Sequence, residues 1–547
     1  MGKGQCGHGE GIEVKLLAVL LASTFAVPAI AQSAPAASDR QSVEAQIKEL
    51  RAMRDSLATQ MNTFDGKIIA LENQLQASLP AQPATAPTAT PKPAPVATAS
   101  AAPAAPAVVT GAATAAAVAP AAPGADAIKI AARDADVDND AYLLKPKTWG
   151  AQEPGKGFVL ARTDRGEIDL TLVTYFRYLN QMALKPDYTY YFGKTVDLDL
   201  KNDFTLNKVN LTFKGWLYDE RFRWLIFIWT SNSNVLDGGQ IYLNGNLAYD
   251  FAPWLTLAAG VDALPTTRST TGNYPNWLRN DNRLMADEFF RGSFTYGIWA
   301  EGRFAQKFQY RVMIANNLST IGVAASQLYP GLNTGSAFLR WMPTTGEFGP
   351  AAGFGDYENH QEVATLFEAH YTYSREDAQE QPNTNTVENS QIRLSDGALL
   401  FDAAGVFGTP YRINKATYQM AAGTAAVKYR GWALEGEYYT RWVNDFVATG
   451  PLPYSKMFDT GLTVQASTML IDKKLQAYAT FSQIWGEFGN PTEAAVGLNW
   501  YPFGIKNFRI TPNAMWLDKS PVGYNGVPYV VGGQGWVFYI DAALAAF

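Results

Sequence analysis

Val209, Leu211, Phe213, Gly215 and Leu217 alternate with Asn210, Thr212, Lys214 and Trp216, and from about Gly157 onward this period of two governs the chain. Successive side chains of a strand point to opposite faces, so one face here suits lipid and the other suits water or a lumen. After a tight Tyr218-Asp219-Glu220 turn, Phe222, Trp224, Ile226 and Ile228 occupy one face of the returning strand. Its other face carries Arg223, Leu225, Phe227 and Trp229. A strand apolar on both sides beyond its start predicts burial against another subunit or a folded-in loop. Beyond the N-terminal apolar run, no stretch is long and charge-free enough to span a bilayer as a helix. A membrane location therefore requires a closed barrel, the alternative that satisfies every backbone N–H and C=O in lipid.

Long and short connections alternate between these strands. Lys185–Leu200 is long and Tyr218–Glu220 short; Ser231–Gly239 is medium and Asp250–Pro253 short; Ala263–Glu288 is long and Ala305–Lys307 short. Outer-membrane barrels have short periplasmic turns and longer external loops, an asymmetry that a soluble β-sandwich does not need. The pattern divides into about seventeen segments; because single-chain bacterial barrels have even strand numbers, one is split or missed between His360 and Lys428. The expected fold is all-β, a transmembrane antiparallel β-barrel over residues 148–547, with about sixteen strands and eighteen as the alternative. The chain ends in Phe547, yet reading back at period two gives Ala545, Ala543, Asp541 and Tyr539, where bulky apolar residues are more usual.

Three segments precede the barrel. Lys15, the apolar run Leu16–Leu21 and Ala29-Ile30-Ala31 have the layout of a signal peptide over residues 1–31, although Glu10 and Glu13 lengthen its n-region. Its apolar core falls short of the roughly 20 residues of a spanning helix. Residues 40–76 carry heptads: Val43, Leu50, Leu57, Phe64 and Leu71 in one series, with Ile47, Arg54, Met61, Ile68 and Leu75 in the other. The pattern predicts a self-associating coiled coil, with Ile47, Leu50, Leu57, Met61, Phe64, Ile68 and Leu71 in its seam and Arg54 as the misfit; a single surface helix is the alternative. Residues 77–147 form a linker that is first Ala/Pro-rich and then acidic. Asp134–Asp140 begins like a calcium loop, but Asn139 replaces the turn glycine and Lys145 the bidentate glutamate, so a solvated acidic linker fits better.

The net charge of −6 gives no case for nucleic acid. The single cysteine, Cys6, lies ahead of the cleavage site, which removes disulfides and thiolate chemistry from the mature chain. The histidines beyond that site are His360 and His370, near Glu358, Glu362 and Glu368, and ordinary polar roles outweigh a metal site there. No local motif marks a nucleophile beside them, so the chain reads as a non-enzyme that needs no cofactor or metal.

Val209–Tyr218, followed by a strand and Gln240-Ile241-Tyr242-Leu243, resembles the early strands of the phosphate-selective porin O/P family, and Gly497–Pro502 with Asn507–Ile510 is similar to its near-terminal hairpin. The resemblance covers most of residues 157–547 and rests on strand patterns. It implies a trimeric, sixteen-stranded outer-membrane channel for small ionic solutes whose third external loop folds inward. On that reading Arg268, Arg279, Asp281, Arg283 and Asp287 set the constriction, because rings of charge govern selectivity. A solvated external loop is the alternative. Lys208, Lys214, Arg223, Lys428 and Arg430 are strand charges expected to face the lumen, since a charge on the lipid face costs about 2–4 kcal/mol near the midplane. From Thr148 onward Lys and Arg fall about five short of Asp and Glu, which does not favour a strong anion filter. The expected function is passive diffusion of small hydrophilic or ionic solutes. A tether gripping peptidoglycan, with the barrel mainly an anchor in outer-membrane lipid, is the alternative. Either way the N-terminal segment lies in the periplasm.

Overall fold

The computed structural model describes residues 151–546, apart from 154, 232–239, 272–276, 329–330, 383–390 and 525. The expected signal segment, the heptads from Val43 to Leu75, the expected linker with Asp134–Asp140, and Phe547 lie outside the described residues.

Two short strands, β1 (Ala151–Glu153) and β2 (Gly157–Thr163), form a hairpin ahead of β3 (Gly166–Leu184). A small separate hairpin follows, β4 (Asp187–Thr189) and β5 (Thr195–Asp197). The wall then continues through β6 (Asn202–Leu217), β7 (Asp219–Ser231), β8 (Gln240–Ala252) and β9 (Leu255–Ala263). Beyond a long loop holding the helix α1 (Met285–Phe290) come β10 (Phe294–Phe304), β11 (Phe308–Ala315), β12 (Thr334–Trp341) and β13 (Ala364–Asp377). The last seven are β14 (Ile413–Tyr429), β15 (Trp432–Ala448), β16 (Met457–Ile471), β17 (Leu475–Trp485), β18 (Thr492–Trp500), β19 (Phe508–Asp518) and β20 (Gln534–Ala546).

Each wall strand pairs antiparallel with the next, and β20 pairs back onto β3, with Asp541 opposite Arg177 and Tyr539 opposite Leu179. Of the eighteen strands in this sheet, β1 and β2 lie outside the ring, so sixteen close the barrel. The hairpin of β1 and β2 continues the line of β20: β20 ends with Ala546 opposite Leu172, and β2 takes over with Phe158 opposite Leu170. Among the described residues, closure leaves the sixteen-stranded ring no open edge, as lipid demands.

The alternation read from the sequence sorts the two faces. Ile241, Leu243 and Leu247 on β8 and Val496 on β18 point outward, between 54% and 70% exposed. Asn244, Asn246 and Asp250 of β8 share the inward face with Lys208, Lys214 and Arg223. The terminal strand is in the opposite phase from that implied by Phe547. Trp536, Phe538, Ile540 and Leu544 are its lipid-facing series, whereas Tyr539, Asp541, Ala543 and Ala545 are buried inside. The bulky apolar series is therefore present, one residue out of step. The doubly apolar strand β7 is covered by a folded-in loop: Phe227 and Trp229 pack with Ile321, from the connection between β11 and β12.

The two ends of the barrel differ. At one end the connections are tight, with Tyr218 alone between β6 and β7 and Arg430-Gly431 between β14 and β15. We name this the turn end and the other the loop end. One connection breaks the rule: residues 342–363, between β12 and β13, form a long segment at the turn end. The region between His360 and Lys428 holds two wall strands joined by a long loop, 378–412.

A candidate constriction inside the barrel

Loop 264–293, from β9 to β10, enters the barrel from the loop end. From Leu264 to Thr270 and from Leu284 to Ser293 every residue is buried. Its fixings reach the wall on many sides. Lys208 of β6 pairs with Asp281 at 2.7 Å, and Tyr175 of β3 donates to the same carboxylate at 3.1 Å. Arg279 pairs with Glu493 of β18, whose second oxygen accepts the backbone N–H of Met285 at 2.6 Å. Asn282 donates to Tyr539 of β20 at 3.2 Å, and Arg509 of β19 donates to the Trp277 carbonyl at 2.7 Å. The ring of Phe290 stacks on Tyr439 at 5.1 Å, and a side chain at Gly461 would collide with it.

Arg268 is the most heavily engaged member. Its Nε lies 3.3 Å from Glu435, its backbone N–H donates to Glu437 at 2.9 Å, and Glu368 stands 3.8 Å away. Glu368 is shared with Arg340 and with His370 Nε2 at 3.0 Å, while His370 Nδ1 lies 3.2 Å from the Pro265 carbonyl. Asp287 accepts from the Thr267 hydroxyl at 2.7 Å. Arg283 bridges Ser269 at 2.9 Å and Glu288 at 3.3 Å, and stacks on Trp277. All five loop residues singled out by the sequence thus meet inside the barrel. Arg268, Arg279 and Asp287 are buried and Asp281 and Arg283 partly buried.

The strand charges divide. Lys208 and Lys428 are buried in the interior, where Lys428 donates to the Phe348 carbonyl at 2.7 Å. Arg223 pairs with Asp250 at 2.6 Å, and Lys214 donates to the Gly155 carbonyl at 2.6 Å near the turn end. Arg430 does not line the lumen, contrary to expectation. It and Gly431 both have positive φ, 48° and 81°, forming the two-residue turn that joins β14 to β15. Such turns match the twist of the flanking strands. Its exposed guanidinium lies over the Tyr429 ring.

Residues 342–363 enter from the turn end and meet the loop. Arg268 donates to the carbonyl of Ala352 and lies 4.7 Å over the Phe354 ring. Gly355, at φ 75°, passes so close to Leu278 and Gln476 that a Cβ would lie 2.9 and 2.6 Å from them. The segment crosses the turn end to the far rim, where Tyr357 donates to the Gly504 carbonyl at 2.7 Å and Glu358 pairs with Lys506. Asp356 accepts the Gly431 N–H at 2.7 Å and the His360 N–H at 3.1 Å. Burial works against a charge on His360, but its hydrogen bonds to Asp356 and Glu347 outweigh this and raise its pKa to about 9. A cavity of about 10 Å³, room for one water, lies among Leu278, Phe348, Phe354, Lys428, Glu435 and Ser467.

Further wall pairs escaped the sequence reading. Arg177 grips Asp541 through two bonds of 2.7 and 2.8 Å, and Arg441 grips Asp459 at 2.6 Å. Their signal was available, since each sits in phase with the inward polar series of its own strand. At the loop end Phe192, Phe407, Tyr454 and Phe488 gather in one aromatic cap, with Phe407 and Phe488 5.6 Å apart.

No family model matches this chain, and no curated protein matches it. Solved structures similar to it include OmpT, an outer membrane protein of Vibrio cholerae, at 12% identity, covering 71% of this chain and 99% of that one with a TM-score of 0.43. An anion-selective porin from Comamonas acidovorans has 11% identity, 70% and 99% coverage, and a TM-score of 0.42. The outer membrane channel DcaP of Acinetobacter baumannii has 9% identity, 71% and 99% coverage, and a TM-score of 0.42. At these values the likeness carries no argument, and the barrel rests on its own closed strand pairing. The likeness to the phosphate-selective O/P family stays on the strand patterns alone.

Proposed function

We propose that this chain is an outer-membrane channel for small hydrophilic or ionic solutes, with loop 264–293 as its constriction. The observation that carries the reading is the loop itself, threaded into the lumen and held there by ion pairs to opposite walls. A buried ion pair costs desolvation that an apolar filling avoids. An anchor could fill its interior with hydrocarbon at less cost, whereas a path for charged solutes needs polar walls. The loop and the segment at 342–363 meet where Arg268 contacts Ala352 and Phe354; on this reading their contact narrows the path, and movement of either one gates passage.

On this reading the turn end faces the periplasm, since periplasmic connections are the short ones. The N-terminal heptads would then be periplasmic, and a homotrimer would bring three of them together. Phosphate selectivity is what the family resemblance implies, yet Arg268, Arg279 and Lys208 are all matched by carboxylates. That pairing supports a weakly selective path over a basic filter.

Planar-bilayer recording of purified folded protein tests the reading. Discrete conductance steps are expected, with brief openings. A folded preparation that gives no steps across the voltage range leaves the tether as the better account. Reversal potentials in asymmetric KCl then address the solute, and strong cation selectivity would remove phosphate.

A further inference from the structure

We propose that Asp356, Glu358 and His360 form a binding site for one divalent transition-metal ion of the zinc class, on the segment that closes the turn end. The three alternate along the chain as Asp-x-Glu-x-His, and one ligand atom from each lies within 4.8 Å of the other two. None is a solvated surface group: the side chains of Asp356, Glu358 and His360 are 0%, 11% and 8% exposed. One nitrogen and two carboxylate oxygens suit zinc and its neighbours in the first transition row, with a further position left for water.

The supports around the triad are those a metal site requires. A ligating histidine usually directs its second ring nitrogen at a carboxylate, which fixes the ring and raises its basicity. His360 Nδ1 faces Asp356, and its Nε2 lies 3.1 Å from Glu347. Asp356 is held in turn by the N–H groups of Gly431 and His360. Glu347 is itself fixed by the Gly349 N–H at 2.7 Å. The ion would stand between His360 and Asp356 in place of the proton they share, releasing that proton to solvent. Lys506 holds Glu358 from the other side and would yield one carboxylate oxygen to the ion.

The position gives the site a consequence. Its residues connect the turn after β14, through Gly431, to the rim at Lys506 and Gly504, reached through Glu358 and Tyr357. A bound ion would staple the segment across the mouth, because it stabilises only the conformation that assembles all three ligands.

The test uses the full mature chain, folded in detergent, stripped with a chelator and titrated with Zn²⁺ at pH 7.5 against a chromophoric competitor. One ion per chain is expected, with Ca²⁺ failing to compete, since calcium prefers six or more oxygens. Glu358→Gln and His360→Ala should each weaken binding by at least about tenfold, and Glu347→Gln by about tenfold through the histidine alone. Heat-modifiable migration on gels verifies that each variant barrel is folded. Glu358→Gln keeps the shape of its side chain, so it remains informative if His360→Ala fails to fold. The proposal is overturned if wild type retains no Zn²⁺ after desalting, or if the folded Glu358→Gln and Glu347→Gln variants bind as tightly as wild type. Neither result depends on conductance, so the channel reading stands or falls separately.

Discussion

The guanidinium of Arg268, on a loop that enters the barrel from one end, donates to the carbonyl of Ala352, on a segment that enters from the other. Two inserted segments thus meet at one side chain, which also pairs with Glu435 and stands near Glu368. Removing that side chain takes away the contact to Ala352 and the cation paired with Glu435, while Glu368 keeps Arg340.

Arg268→Ala should therefore open the channel. Breaking a buried pair by deleting one partner costs about 3–5 kcal/mol, enough to displace a docked loop without unfolding the ring of strands. Planar-bilayer recording should give longer openings and larger steps than wild type. Unchanged conductance in a folded variant would mean that the loop is not the barrier.

Shortening the segment at 342–363 examines the other closure. Replacing residues 343–362 with a two-residue Asn-Gly turn, the kind that matches strand twist, should raise conductance while β12 and β13 stay paired. If steps stay at wild-type size, the path does not run past Phe348 and Phe354.

Lys208 of the wall pairs with Asp281 of the loop at 2.7 Å. A double-mutant cycle with Lys208→Met and Asp281→Asn should give a coupling of about 0.5–3 kcal/mol in chemical unfolding. Simple additivity would show that the contact adds nothing to seating the loop.

The ring was legible because it follows a local rule: the period of two on β6 and β8 sorted lipid from lumen. The inward course of 264–293 followed only from the family resemblance, since its charges suit a solvated loop equally well. Arg430 was misplaced because a charge one residue past Tyr429 looks in-strand until the paired positive φ values at Arg430 and Gly431 reveal the turn. The closure at 342–363 was illegible for a different reason. Its contacts to Arg268, Gln476 and Lys506 are long-range, and the rule of short turns argued against looking there. The run Phe348-Gly349-Pro350 with Gly353 and Gly355 was the available clue to a compact folded segment. Arg177 and Asp541 lie at opposite ends of the barrel sequence, so only ring closure puts them side by side.

Acid should tighten the cap at the loop end. Burial pushes the Asp396 carboxyl above its ordinary value, against the N–H groups of Ala398 and Tyr191 that favour the charge. A raised folded value means that this group favours docking most fully below its unfolded pKa, near 4. That contribution is lost as pH rises through the folded value. Hydrogen exchange in 391–401, corrected for intrinsic rates, should be slower at pH 4 than at pH 7. Asp396→Asn should abolish the difference, and a difference that survives the substitution would assign it to another group.

The heptads and the pore should prove separable. Ile47, Leu50, Leu57, Met61, Phe64, Ile68 and Leu71, the proposed seam, stand before a linker rich in Ala and Pro. A linker of that composition extends by about 3.1 Å per residue and transmits no fixed geometry. In a trimer it would still hold three helices at an effective concentration in the millimolar range, which favours a three-stranded seam. Deleting residues 42–78 should leave single-channel conductance at the wild-type value. It should lower the temperature at which trimers dissociate on gels, or the fraction of protein retained on purified peptidoglycan. Loss of conductance in barrels that still fold would show that the seam acts on the pore. Wild-type trimer stability together with wild-type peptidoglycan retention would remove both roles assigned to it.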